Sequence, residues 1–149
     1  MQPVETALSL FAQGFTCSQA LLLAFAPRFD LDLSVAARIA SPFGGGIARQ
    51  GKVCGAVAGA IMVIGLHAGN ASAEDGPTKE AMYQKVRVLM TRFAAAHGTT
   101  ECRQLTGYDL STPDGYAAAT QSAVFTQKCP AFVRTAAVLA ARMLDGPDA

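Results

Sequence analysis

Apolar residues recur at helical spacing along almost the whole chain, and the breaks between these runs fall on glycine and proline. In residues 5–13, Ala7, Leu8, Leu10 and Phe11 make one face of a short helix, and Gly14 follows where a left-handed C-cap belongs. Thr16 or Cys17 can cap a second helix over 18–25, which Pro27 closes because proline cannot continue the backbone ladder. Asp32 or Ser34 starts a third, ending before Pro42 and the run Gly44, Gly45, Gly46.

From Lys52 the chain reads KVCGAVAGAIMVIGLHAG. Gly51, Gly55 and Gly59, with Ala56 and Ala60 beside them, repeat every four residues and strip one helix face of side chains, so that another backbone can approach closely. The apolar stretch 53–66 is shorter than the roughly 20 apolar residues of a membrane span. It predicts a buried central helix. Pro77 then opens the longest amphipathic segment, 78–96, with Met82, Val86, Leu89, Met90 and Phe93 inward and Lys79, Lys85 and Arg92 toward water. After Gly98, Thr99 or Thr100 caps a short turn carrying Cys102, and the Gly-, Pro- and Asp-rich stretch 107–115 reads as loop. A final helix covers 131–144, with Cys129 at its cap and Pro130 in the first position. No period-two, β-branched stretch competes, so the pattern predicts an all-α, single-domain bundle (1–149) of about five to seven helices around a Gly/Ala-rich central helix.

Length and charge narrow the function classes. A chain of 149 residues buries enough surface to fold without disulfide staples. Its 12 Lys and Arg against 11 Asp and Glu leave a net charge of +1, so no basic footprint for nucleic acid exists. The start MQPVETALSLFAQG lacks the basic and apolar regions of a signal peptide, and a cytoplasmic protein is expected.

In a reducing compartment the four cysteines, Cys17, Cys54, Cys102 and Cys129, are expected as reduced, cycling or metal-bound thiols. Each falls at or near a helix start, where unpaired N–H groups and the helix dipole favour thiolate. Cys54 has the most open surroundings, with Gly55 beside it, the Gly44, Gly45, Gly46 loop before it and Lys52 adding positive charge. The glycine run has neither the lysine nor the hydroxyl of a phosphate loop, and a flexible hinge is the simpler reading. His67 and His97 read as helix-end residues, Met62, Met82 and Met90 as core filler, and Tyr108, Asp109 and Asp114 as a loop that could border a pocket. Hydrolase chemistry has no support.

The segments 14–20 (GFTCSQA), 43–46 (FGGG) and 54–60 (CGAVAGA), followed by isolated Cys102 and Cys129, resemble the C_GCAxxG_C_C family. The resemblance spans most of the chain, and the CGAxxGA segment is its most specific part. It implies four functional cysteines, an all-helical fold and genes near transport genes, hence association with a membrane transporter. It implies redox activity without an established reaction or substrate. Three readings follow. The first is thiol/disulfide chemistry with an unidentified redox partner, with Cys54 and Cys17 as the primary pair and Cys102 and Cys129 as partners or resolving thiols. The second is a zinc or iron–sulfur module with the four cysteines as ligands, although no Cys-x-x-Cys spacing is present. In both, Gly44, Gly45, Gly46, Gly55 and Gly59 are the positions where a cofactor would approach the backbone. The third is an interaction protein that docks a second copy or a transporter on its small-residue helix face.

Overall fold

The computed structural model describes residues 2–146, and among these the chain is helical with no strand. Helix α1 (Pro3–Ala12) leads into α2 (Cys17–Phe25), and α3 (Leu33–Ala40) precedes the central α4 (Gly55–Ala68). The long α5 (Gly76–His97) is followed by three short helices, α6 (Cys102–Thr106), α7 (Pro113–Gln121) and α8 (Val124–Gln127), and then by α9 (Cys129–Asp145).

Local chemistry explains most of these starts. Thr16 caps α2 in a reciprocal box, its hydroxyl accepting from the Gln19 amide at 3.2 Å while the Thr16 amide donates to Gln19 Oε1 at 3.1 Å. Asp32 caps α3 through the Val35 amide, and Asp75 caps α5 through the Thr78 amide. Gly98, at φ +89°, ends α5 in the left-handed conformation.

The stretch expected as loop over 107–115 ends earlier than composition suggests. Thr112 accepts from the Gly115 amide at 3.0 Å and Pro113 occupies the first helical position, so a proline that reads as a breaker instead opens α7. The helices α6, α7 and α8 build a small second core of Cys102, Leu110, Ala119 and Val124 at one end of the bundle.

The main core forms around α4, which packs against α2, α9 and α5, while α1 lies against α2 and α9. Being apolar on every side, α4 has to be enclosed, and all its residues from Gly55 to Ala60 are buried. Its small-residue face is used inside the molecule. A Cβ on Gly55 would stand 3.2 Å from Cys17 Cβ, and one on Gly59 would stand 2.5 Å from Leu21 Cβ and 2.8 Å from the Ser18 carbonyl. The face read from the sequence as a docking surface is therefore occupied by α2. Contacts advance together along both helices, Cys17 and Ser18 at Gly55 and then Leu21 at Gly59, so α2 and α4 run parallel with their N-termini at one end. Among the described residues no helix is long and apolar enough to cross a membrane.

Two glycines of α4 should respond oppositely to alanine. Gly59→Ala meets Leu21 and Ser18 and should lower stability by about 1–3 kcal/mol. Gly65→Ala meets nothing within 4 Å and should raise stability by about 0.5–1 kcal/mol. Urea midpoints of the two variants check both signs.

Candidate functional site

All four cysteines lie at helix starts, as their spacing predicts. Cys17, Cys102 and Cys129 are the first residues of α2, α6 and α9, and Cys54 is the N-cap of α4. Thr16 rather than Cys17 caps α2, and Lys128 precedes Cys129, so Pro130 stands second in α9 rather than first. All four line one cavity of about 1060 Å³.

Two neighbour relations stand out among the four free thiols. In the first, the Cys17 and Cys129 thiols interact side chain to side chain, an interaction that raises Cys17 and lowers Cys129. In the second, an isolated antiparallel bridge joins Val53 to Glu101, with the Cys54 amide donating to the Thr100 carbonyl at 2.8 Å and the Cys102 amide to the Lys52 carbonyl at 2.7 Å. Residues flanking such a bridge point to the same side, so Cys54 and Cys102 are diagonal neighbours, a relation that corresponds to about 7–8 Å in regular ladders. Nothing in the sequence pattern signals this bridge. Among the described residues no three His, Cys, Asp or Glu side chains stand close enough to hold a metal ion. The expectation of Cys17, Cys54, Cys102 and Cys129 as ligands for zinc or an iron–sulfur cluster does not match this spacing.

Electrostatics separates the four thiols. The interaction with Cys17 pulls the Cys129 pKa below its ordinary 9.0 despite burial, and the same interaction pushes Cys17 well up, with burial adding to the rise. Burial raises Cys54 to about 11, although the first-turn amides of Val57 and Ala56 pull the other way. Burial, with Cys54 and Cys129 nearby, raises Cys102 to about 12. Helix-start placement therefore leaves Cys54 protonated, because loss of water outweighs the amides that face it. Lys52 does not alter this balance, since its side chain is exposed and does not line the cavity. The thiol poised to ionise first is Cys129.

The glycines divide between roles. Gly44, Gly45 and Gly55 line the cavity, whereas Gly46 and Gly59 do not. Gly46 is a packing position, where a Cβ would come within 2.7 Å of Cys102 Cβ and 2.6 Å of the Lys52 amide. The segment expected as a flexible hinge is a left-handed turn. Gly45, Gly46, Ile47, Ala48 and Arg49 all have φ between +48° and +70°. Left-handed backbone costs about 1–2 kcal/mol at each non-glycine residue, and such strain collects at functional sites. Six backbone bonds hold the turn, among them those from the amides of Ala48, Arg49, Gly51 and Lys52 to the carbonyls of Pro42, Gly44, Gly45 and Gly46 at 2.8, 3.1, 3.1 and 2.9 Å. The Arg49 guanidinium, 3.9 Å above the Tyr116 ring, ties it to α7.

Five aromatic residues contribute to the remaining wall, Phe11, Tyr116, Phe125 and Phe132 from four helices and Phe15 from the linker between α1 and α2. Their convergence has no sequence signal, because no two share a helix face. Tyr108, Asp109 and Asp114 do not line the cavity, and Asp109 instead accepts from Ser111 and pairs with Arg103 at 3.7 Å. His97 ends α5 as expected, its Nε2 2.8 Å from Thr135 Oγ1 and its ring against Phe93 and Phe132.

An all-α bundle with four helix-start thiols turned onto one apolar cavity defines a class of thiol-bearing helical protein. Residues 15–143 match the family described as "Putative redox-active protein (C_GCAxxG_C_C)", and the chain belongs to that family. No curated protein and no solved structure matches it.

The raised thiols have a consequence for stability. With folded values above the unfolded 9.0, Cys54 and Cys102 stabilise the fold fully below pH 9, and that contribution is lost as pH rises toward 11–12. Between pH 7 and pH 10 the native protein should lose about 3 kcal/mol that a Cys54→Ala/Cys102→Ala variant retains, as read from urea midpoints at the two pH values.

Proposed function

We propose that the chain is a dithiol redox protein in which Cys129 attacks and Cys17 resolves. The observation that carries this reading is the Cys17–Cys129 interaction, with its opposite effects on the two thiols, at the wall of the shared cavity. The Cys129 thiolate attacks one sulfur of a disulfide substrate, forming a mixed disulfide and expelling the first thiol. The expelled thiolate takes the Cys17 proton, and the Cys17 thiolate then attacks the Cys129 sulfur. The second substrate thiol leaves, and a Cys17–Cys129 disulfide remains. Two electrons pass from the protein to the substrate, and the next cycle needs a dithiol donor.

This assignment departs from the sequence expectation that Cys54 and Cys17 form the primary pair. Cys54 and Cys102, held neutral by burial, are suited to a second pair that exchanges with the first rather than to first attack.

The test uses reduced protein and bis(2-hydroxyethyl) disulfide, a small neutral oxidant. Two thiols should disappear reversibly, with a Cys17–Cys129 cross-link in the peptide map. A cross-link elsewhere, or near-stoichiometric zinc or iron with sulfide in anaerobically purified protein, overturns the assignment. A second expectation concerns pH. Cys17→Ala removes the partner that favours the Cys129 thiolate, so iodoacetamide should modify Cys129 about tenfold more slowly at neutral pH, with the profile displaced to higher pH.

A further inference from the structure

The chemistry of the cavity restricts what the Cys17–Cys129 pair can reduce. Cys54, Cys102 and Cys129 are 4%, 8% and 5% exposed while Cys17 is half-buried, so a reactant has to enter the cavity to reach Cys129. The volume of about 1060 Å³ is that of a small-molecule site. Phe11, Phe15, Tyr116, Phe125 and Phe132 are among its lining residues, and its uncharged polar side chains are the hydroxyls of Thr16, Ser41, Thr106, Tyr116 and Thr126. Arg49 is the one cation among the described lining residues, and the Tyr116 ring already covers its guanidinium. No carboxylate lines the cavity among the described residues. A charged thiol carrier such as a zwitterionic tripeptide would lose its water and find almost no counter-charge.

We infer that the cavity admits a neutral, planar two-electron acceptor of the quinone class, which oxidises the Cys17–Cys129 dithiol and leaves as hydroquinone. The inference rests on the dithiol reading above. Two S–H bonds break and one S–S bond forms, and the two electrons and two protons pass to the two carbonyl oxygens of the quinone. Reactants and products are both neutral, so the turnover leaves no charge in an apolar enclosure, where uncompensated charge is costly. The lining aromatic residues offer apolar ring surface to a planar ligand, and the Ser41 hydroxyl on the cavity wall is a donor suited to a quinone oxygen.

The probe is duroquinone, whose four methyl groups block covalent addition of thiols to the ring. Anaerobic reduced protein should yield one durohydroquinone for every two thiols lost, at a rate that saturates with quinone concentration. Ala12→Trp, on the exposed last residue of α1 at the cavity wall, should slow this reaction about tenfold without changing helicity. Saturation together with that slowing supports the inference. Oxidation by bis(2-hydroxyethyl) disulfide with no reaction toward duroquinone overturns it and leaves the dithiol reading intact. A linear, unsaturable rate that Ala12→Trp does not change overturns it too, as does faster oxidation by lipoamide, a neutral dithiolane. Resistance to all three oxidants overturns both readings.

Discussion

The backbones of α2 and α4 approach so closely that a single methyl group on Gly59 would strike Leu21 Cβ at 2.5 Å, and the placement of the site depends on this contact. Because the two helices run parallel, bringing them together brings their N-termini together, and with them Cys17 and Cys54. Packing of α9 on both helices adds Cys129 to the same end, and the bridge between Val53 and Glu101 adds Cys102. A stripe of small residues that could have served association with another molecule is instead the internal seam that gathers the four thiols.

Once gathered, the thiols are differentiated by their surroundings rather than by their shared position. Every one of them sits where helix amides favour a thiolate, yet burial prevails at Cys54 and Cys102, and only the interaction with the Cys17 thiol reverses the balance at Cys129. The apolar wall that raises the pKa values of the neutral pair also screens the site from charged reactants. Those two effects have one cause, the loss of water.

The left-handed turn at 45–49 shows how tightly this end of the molecule is specified. Three non-glycine residues accept an unfavourable backbone so that Gly44 and Gly45 can face the cavity and Gly46 can pack on Cys102. Backbone hydrogen bonds and the Arg49–Tyr116 contact offset that cost and join the turn to the small core of α6, α7 and α8. The segment is therefore a wall of the site, built from the residues that composition alone marks as a hinge.

Local signals made the helices legible: the apolar period in 78–96, the Thr16 cap, the Gly98 stop and the all-round apolar character of α4 are properties of short stretches of chain. The placement of the four cysteines at helix starts belongs to the same category, because capping residues and prolines act within one turn. Other features are invisible at that range. The meeting of Cys17, Cys54, Cys102 and Cys129 at one cavity joins residues far apart in the chain, and the aromatic residues of its wall come from four helices and a linker with no common period. The sequence by itself determined an all-α bundle with thiols at helix starts, since helix propensity, capping and hydrophobic period are local. Only the tertiary structure decided that the four thiols share one cavity and how burial separates their pKa values, because contacts between distant groups and exclusion of water exist only after the helices have packed.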